Sequence, residues 1–200
     1  DTITGSAGAD HIAGGGGSDT IKSLAGNDHI YGDNGFIVEL YGRELIVVDA
    51  PVAVPLLDSA DTRIAVADFI DAGDGDDIVI SDLGFISQIA GTLRLTTTGS
   101  VTRVETTQAA FGGNDVVTGG AGNDIVLAGS GRDMITGGAG DNIIFGDHGV
   151  IDYVVADGDI DYIGSLFTGF GDSDTISSEG GSDILVGGFG ADVITSINGN

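Results

Sequence analysis

The 200-residue chain contains no cysteine, no tryptophan, two prolines and only six basic side chains. Without cysteine, the fold can have neither disulfide bonds nor a thiolate metal site. Because nucleic acids and anionic membrane surfaces are bound through lysine and arginine, the shortage of basic residues excludes both as main partners. The longest apolar stretch, residues 45–57, is interrupted by an aspartate and two prolines and is too short for insertion into a membrane.

Acidic side chains far outnumber basic ones. Thirty-one Asp and Glu residues against six Lys and Arg give a formal net charge of −25 at pH 7. A compact monomer with this charge repels itself, so cations are its natural partners. Apolar residues make up 41% of the chain, which is enough to build a core and argues against disorder. The composition therefore predicts a folded chain that needs bound positive charge.

A nine-residue repeat, G-G-x-G-x-D-x-U-x with U aliphatic, occurs in four blocks, which we assign to residues 1–35, 72–84, 110–149 and 169–200. Position eight is aliphatic in every copy. Position six is Asp1, Asp10, Asp19, Asp28, Asp77, Asp115, Asp124, Asp133, Asp174, Asp183 and Asp192, with Asn142 as the single substitution. A regular short repeat of this kind predicts a solenoid.

Each repeat divides into a turn and a short strand. The last three residues suit a strand with its aliphatic side chain inward, and the glycines before them permit a tight turn. Two repeats then form one coil, so residues 18 apart lie on neighbouring parallel strands about 4.8 Å apart. We expect an all-β fold, a parallel β-roll. The expected stacked pairs are Asp1 and Asp19, Asp10 and Asp28, Asp115 and Asp133, and Asp174 and Asp192.

Stacked carboxylates at this spacing repel each other. At an effective dielectric constant of about 20, two such charges about 4.8 Å apart repel by about 3 kcal/mol. A divalent cation between them reverses the sign of the interaction, and ligands that are all oxygen favour a hard ion. Flexible coordination by six or more carboxylate and carbonyl oxygens favours calcium over magnesium. The sequence thus predicts several Ca²⁺ ions between the turns.

These repeats resemble the RTX family of haemolysin-type calcium-binding nonapeptide repeats. The resemblance implies a parallel β-roll with calcium between turns, in a protein that is exported unfolded by type I secretion and folds in external calcium. The calcium ligands it implies are the position-six residues and the carbonyls of the glycine turns, with a weaker site at Asn142 because an amide lacks the charge. We therefore expect a secreted, extracellular or cell-surface protein.

Three inserts interrupt the repeats, at residues 36–71, 85–109 and 150–168. Strand-like runs at 44–48 and 151–155, and another at 92–98, predict hairpins or long loops that leave one edge of the roll. The inserts could form a surface for self-association, a glycan or another ligand. Alternatively, they could pack on the roll and shield its edges.

A shared turn precedes each insert, reading G-D-N-G-F-I, S-D-L-G-F-I and G-D-H-G-V-I. Its aspartates, Asp33, Asp82 and Asp147, could add calcium ligands or could form Asx turns. Position seven changes from polar to aliphatic along the chain, which indicates that later blocks bury a further face under the inserts or another chain. We expect the three histidines, His11, His29 and His148, to be exposed.

Neither a G-x-S-x-G nor an H-E-x-x-H motif occurs, so we expect no enzyme activity. Two functions remain. The first is a structural module of an adhesin, surface-layer or matrix protein; the second is the calcium-dependent folding and secretion module of an exported protease, lipase or polysaccharide epimerase. The long inserts favour the first. The chain starts and stops within repeats and opens without a signal-peptide pattern, so we expect adjoining repeats of a longer chain.

Overall fold

The computed structural model describes residues 1–33, 37–38, 44–48, 66–89, 101–154 and 158–199, with the backbone alone described for 37–38, 44–48 and 88–89. Every regular element in these ranges is a β-strand, and none of them contains a helix that could cross a membrane. The strands form three sheets, two of them parallel and one antiparallel. The predicted all-β architecture with a parallel β-roll is confirmed.

The repeats form the two parallel sheets, sheet A and sheet B, and the strands of successive repeats belong to one sheet and the other in turn. In spatial order, sheet A contains β1 (Thr2–Thr4), β3 (Thr20–Lys22), β7 (Phe69–Asp74), β11 (Val116–Ala121), β13 (Met134–Ala139), β17 (Thr175–Glu179) and β19 (Val193–Ile197). Sheet B contains β2 (His11–Ala13), β4 (His29–Tyr31), β8 (Ile78–Ile80), β12 (Ile125–Leu127), β14 (Ile143–Phe145) and β18 (Ile184–Val186).

The strand register places equivalent repeat positions side by side. Ile3 pairs with Ile21 in sheet A, and Ile12 pairs with Ile30 in sheet B, so residues 18 apart are neighbours as predicted. Across the first insert, Ile21 pairs with Ile70 in the same register. The inserts therefore interrupt the sequence of the roll without interrupting its sheets.

The second repeat block begins earlier than the boundary expected at residue 72. Strand β7 starts at Phe69 and lies between β3 and β11, inside the range assigned to the first insert. The preceding residues 63–67 contain no glycine, so this copy lacks the glycine pattern that marks the others. The strand-forming half of a repeat is thus sufficient to continue the roll.

The first core fills the space between sheets A and B. Along the middle of both sheets the position-eight side chains point inward and are buried, as in Ile70 and Val117 of sheet A and Val79 and Val126 of sheet B, whereas Ile194 in the last strand of sheet A is 44% exposed. Complete burial of one such side chain contributes roughly 1.5–3 kcal/mol. This row of aliphatic side chains holds the two sheets of the roll together.

The inserts form sheet C, which covers the outer face of sheet B. In spatial order its antiparallel strands are β16 (Ile160–Ser165), β15 (Gly149–Tyr153), β10 (Val101–Thr106), β9 (Gly84–Ile89), β6 (Glu44–Val48) and β5 (Ile37–Val38). A second core joins Ile86, Val104 and Ile151 of sheet C to Leu127 and Phe145 of sheet B. The inserts therefore pack on a face of the roll, as one of the two alternatives predicted.

Two of the three strand-like runs predicted within the inserts lie in strands of the structure. Residues 44–48 form β6, and β15 covers the first three residues of the run at 151–155. The run at 92–98 lies outside the described residues. Position seven is buried under sheet C in the middle strands of sheet B, as at Ile125, but Ile184 in β18 is 43% exposed. Met134 at position seven of sheet A is 56% exposed.

Glycine at position two lets neighbouring coils approach closely. Gly120 and Gly138 have φ of 121° and 88°, in the left-handed region that favours glycine. A Cβ on Gly120 would lie 1.7 Å from the carbonyl oxygen of Gly73, and one on Gly138 would lie 1.9 Å from that of Gly120. The turns therefore stack backbone on backbone, which brings their position-six side chains together.

Candidate metal centre

Two rows of turns connect sheets A and B, and each row carries the position-six side chains of successive coils. The A-to-B row, whose turns lead from sheet A to sheet B, contains Asp10, Asp28, Asp77, Asp124, Asn142 and Asp183. The B-to-A row, at the opposite edge, contains Asp1, Asp19, Asp68, Asp115, Asp133, Asp174 and Asp192. All three inserts leave the roll from the B-to-A row.

A repeated hydrogen bond joins the coils within each row. The backbone N–H of each position-six residue donates to Oδ1 of the next, as from Asp28 to Asp77 at 2.7 Å and from Asp115 to Asp133 at 2.8 Å. At the end of the B-to-A row, the exposed Asp1 contacts Asp19 Oδ1 through its amino group at 2.5 Å. The four stacked pairs predicted from the 18-residue spacing are all present.

Asp68 is a position-six residue that the sequence analysis missed. Its Oδ1 accepts the N–H of Asp19 at 2.7 Å, and its own N–H donates to Asp115 Oδ1 at 2.8 Å. A signal was present, because the run D-F-I-D begins nine residues before Asp77 and repeats the D-x-U-x pattern. Asp77, which stood in an isolated copy in the sequence, lies between Asp28 and Asp124.

The second carboxylate oxygen, Oδ2, is unpaired at most positions of both rows, although Asp10 Oδ2 accepts the N–H of Ser6 at 2.6 Å. These buried oxygens have no hydrogen-bond partner among the described residues at Asp19, Asp28, Asp68, Asp77, Asp115, Asp124, Asp133, Asp174 and Asp183. An ionised carboxylate without a partner is very costly to bury in a protein. Each row therefore contains buried carboxylates whose negative charge a bound cation would stabilise.

Glycine at position one leaves a small space in front of Oδ2, which we call the glycine cradle. A Cβ on Gly119 would lie 2.5 Å from Asp124 Oδ2 and 2.5 Å from the carbonyl oxygen of Gly137 in the next coil. A Cβ on Gly14 would meet Asp19 Oδ2 and a carbonyl oxygen in the same way. Gly5, Gly32 and Gly146 repeat this pairing of a carboxylate and a carbonyl oxygen.

The chemistry of these donors fits calcium. No group of three or more His, Cys, Asp or Glu side chains converges as a metal site in the part of the chain that the structure describes. A cation in the rows would therefore combine carboxylate oxygens with backbone carbonyl oxygens. Such an all-oxygen ligand set suits a hard ion, and its irregular geometry suits calcium better than magnesium.

Comparison with known families decides the assignment. The family model for the RTX calcium-binding nonapeptide repeat (4 copies) matches residues 14–35, 67–85, 112–135, 127–150 and 168–200, more than half of the chain. The chain belongs to this RTX family. The second matched segment begins at residue 67 and so includes Asp68. No curated protein matches the chain.

Burial and mutual repulsion perturb the ionisation of the RTX carboxylates. Burial, with the charges of Asp124 and Asp28, raises the pKa of Asp77 to about 7. Burial, with the charges of Asp115 and Asp174, raises the pKa of Asp133 to about 9. These carboxyl groups are thus poorly suited to carry their charge at neutral pH unless a cation is bound.

We call Asp33, Asp82 and Asp147 the clasp aspartates, because they join the start of an insert to distant parts of the chain. Asp82 accepts the N–H of Gly113 at 2.9 Å and that of Ser130 at 2.6 Å. Asp33 Oδ2 accepts from Val66 at 2.8 Å, and Asp147 Oδ2 accepts from Phe189. These partners lie 31 or more residues away, so the bonds are not those of Asx turns.

Two clasp aspartates also carry an unpaired buried oxygen. Oδ1 of Asp33 and Oδ1 of Asp147 have no partner among the described residues. Burial and the charge of Asp68 raise the pKa of Asp33 to about 8. Burial and the charge of Asp174 raise the pKa of Asp147 to about 7. The clasps therefore add carboxylate oxygens to the B-to-A row where the inserts leave it.

The expectation of exposed histidines is wrong, because His29 and His148 are each 1% exposed and His11 is half-buried. His29 lies at position seven of sheet B, with its ring edge against His11 at a centroid distance of 4.9 Å. His148 Nε2 lies 2.8 Å from Ser130 Oγ, and burial lowers the pKa of His148 to about 4. Packing of the inserts, which the repeat pattern does not encode, accounts for the difference at His148.

Proposed function

We propose that this chain is a calcium-binding structural module of a secreted or cell-surface RTX protein, of the adhesin, surface-layer or matrix type. The observation that supports it is the line of buried Oδ2 atoms without partners in both rows of turns. The sequence and the structure together offer sixteen candidate residues, the thirteen of the two rows and the three clasp aspartates. Asn142 is the one candidate that carries an amide in place of a carboxylate.

The residues of each row have two roles in this proposal. Oδ1 of each aspartate fixes the spacing of the coils by accepting the N–H of its neighbour, as between Asp124 and Asp77 at 3.0 Å. Where position one is glycine, Oδ2 and the carbonyl oxygen across the glycine cradle would hold the ion. When bound, calcium supplies the positive charge that cancels the repulsion between stacked carboxylates. Asp28, Asp77 and Asp124 of the A-to-B row are fully buried, so the turns exclude water from these carboxylates.

Calcium concentration is then the trigger for folding. Extracellular calcium modules bind with dissociation constants of about 10⁻⁴ to 10⁻³ M. At the much lower calcium concentration inside a cell, the uncompensated rows would keep the chain unfolded and suited to export by type I secretion. Outside the cell, calcium binding and folding would occur as one event.

The three-layer architecture supports a structural role over a simple secretion signal. Sheet C packs on sheet B through an extensive apolar core, so the inserts add a rigid layer to the roll. On its outer face, Arg103 Nη1 donates to both carboxylate oxygens of Asp152, at 2.8 and 3.0 Å, and its Nε donates to Glu105. We propose this layer as the surface for a glycan, a surface ligand or a second copy, with adjoining RTX repeats as the other partners.

Far-UV circular dichroism tests the proposal directly. The chelator-treated chain is titrated with calcium and, in a parallel sample, with magnesium. We expect a cooperative change from coil to β-structure at millimolar calcium and no comparable change with magnesium. A chain that is already folded in chelator would show that the carboxylate rows are tolerated without metal, and the proposed calcium-driven folding would be wrong.

A further inference from the structure

Asn142 is the exception among the position-six residues, and its side chain has a defined orientation. Its Oδ1 accepts the N–H of Asp124 at 2.9 Å, which is the same hydrogen bond that joins the aspartates of neighbouring coils within a row. The amide nitrogen cannot accept a hydrogen bond, so this contact places oxygen toward Asp124. Nδ2 therefore occupies the place at which the aspartates carry their unpaired Oδ2.

Oxygen atoms surround Nδ2 of Asn142. It donates to Ser178 Oγ at 3.0 Å and points toward the carbonyl oxygens of Gly138 and Gly140, each at 3.4 Å. In the preceding coil, the corresponding atom is Oδ2 of Asp124, which has no partner among the described residues. Equivalent turns thus place a nitrogen donor at this point in the coil of Asn142 and a carboxylate oxygen without a partner in the coil of Asp124.

Ser178 completes this arrangement from the neighbouring coil. It stands at position one, where Gly119 and Gly137 stand in the two preceding coils of this row. A Cβ on Gly119 would meet the carbonyl oxygen of Gly137, whereas a Cβ on Gly137 would meet Ser178 Oγ at 3.0 Å. Ser178 Oγ also lies 3.4 Å from the Gly138 carbonyl oxygen. The hydroxyl therefore fills space that is left open in a glycine cradle.

We infer that the turn of Asn142 closes without metal, because the amide hydrogens of Asn142 take the place of a calcium ion. This inference rests on the proposed function and deepens it, since it assigns one level of the A-to-B row as free of calcium. It replaces the weak calcium site expected at Asn142 from the sequence. The carboxylates on either side, Asp124 and Asp183, remain proposed ligands of the adjoining levels.

Native mass spectrometry of the calcium-loaded chain counts the bound ions and tests the inference. Asn142→Asp should bind one ion more than the wild type, because it restores a carboxylate facing the Gly138 and Gly140 carbonyls. Asn142→Ala should bind the same number as the wild type while unfolding at a lower urea concentration. Asp124→Asn is the matched control and should bind one ion fewer.

The outcomes separate this inference from the proposed function. A wild-type chain that binds no calcium overturns the proposed function and this inference with it. If the wild type binds calcium, an Asn142→Ala chain that loses an ion shows that Asn142 is a ligand and overturns the inference alone. An unchanged ion count in Asp124→Asn, or in a folded Asn142→Asp chain, overturns it as well. If Asn142→Asp fails to fold, the ion counts of Asn142→Ala and Asp124→Asn still show whether the turn of Asn142 binds calcium.

Discussion

Filling one glycine cradle with a methyl group should remove one calcium site from the roll. In Gly119→Ala, the new Cβ would lie 2.5 Å from Asp124 Oδ2 and 2.5 Å from the carbonyl oxygen of Gly137. Both distances are far shorter than normal van der Waals contact, so the carboxylate and the carbonyl oxygen would have to separate. These are the two oxygens that we propose to share an ion.

The size of the effect follows from the affinity of such sites. With a dissociation constant of about 10⁻⁴ to 10⁻³ M, one site in about 10 mM calcium stabilises the folded chain by about 1.4–2.7 kcal/mol. Replacement of glycine by alanine also lowers the entropy of the unfolded chain, which stabilises the folded chain by about 0.4–1 kcal/mol. We therefore expect a net loss of about 0.4–2.3 kcal/mol in the free energy of unfolding.

Urea unfolding in about 10 mM calcium, followed by circular dichroism, measures this loss. Gly169→Ala is the matched control, because a Cβ there would have no atom within 4 Å. The control should be about 0.4–1 kcal/mol more stable than the wild type, because alanine lowers the entropy of the unfolded chain, and it should bind as many ions. If Gly119→Ala is as stable as Gly169→Ala and binds the same number of ions, the assignment of the cradles as ion sites is refuted.

Three further predictions use the same unfolding assay. Asp82→Ala leaves the N–H groups of Gly113 and Ser130 without their acceptor, so we expect a loss of about 3 kcal/mol; a loss below about 1 kcal/mol would contradict its role as a clasp. Ile86→Ala should cost about 2–5 kcal/mol if sheet C packs on the roll, and an undisturbed chain would argue against that packing. Because burial raises the pKa of Asp133 to about 9 from an ordinary value of 3.8, folding without calcium takes up protons. The stability of the chelated chain, or its residual structure, should therefore fall as the pH rises from about 4 to about 9, whereas the calcium-loaded chain should lose stability as the pH falls and protons displace the ion. Parallel slopes in chelator and in calcium would contradict this linkage.

The repeat pattern was enough to predict the roll and most of the position-six side chains that stack along its turns. Position eight predicted the first core, since aliphatic residues such as Ile12 and Ile30 lie 18 apart and pair in one sheet. Position six predicted the stacked carboxylates, because a fixed coil length brings equivalent residues together whatever lies between them. Local geometry repeated in phase is the kind of information that a sequence carries directly.

Asp68 shows the limit of a pattern that depends on glycine. Its turn contains Val66 and Ala67 in place of the glycine-rich sequence, because the chain returns there from an insert and the Asp33 clasp holds the N–H of Val66 at 2.8 Å. The half of the repeat that forms strand β7 is intact. A search for D-x-U-x alone, nine residues before Asp77, would have found this position-six residue.

Sheet C could not be placed from the sequence because its position depends on contacts between distant segments. Ile86 and Val104 pair across two antiparallel strands and pack against sheet B, but the residues around them do not say which surface buries them. The same long-range packing buries His148, which lies against Phe167 at a ring-centroid distance of 5.4 Å. The role of Asn142 was also hidden, since it depends on Ser178 in a coil beyond the third insert.

A crystal structure of the calcium-loaded chain, with the ions located by anomalous scattering, tests the central claim most directly. The account predicts ions along both rows, each bound to the Oδ2 of a position-six aspartate such as Asp19, Asp124 or Asp174 and to a carbonyl oxygen across the glycine cradle. It predicts no ion at Nδ2 of Asn142. Rows that bind no ion in saturating calcium, or ions bound to surface carboxylates alone, would contradict it.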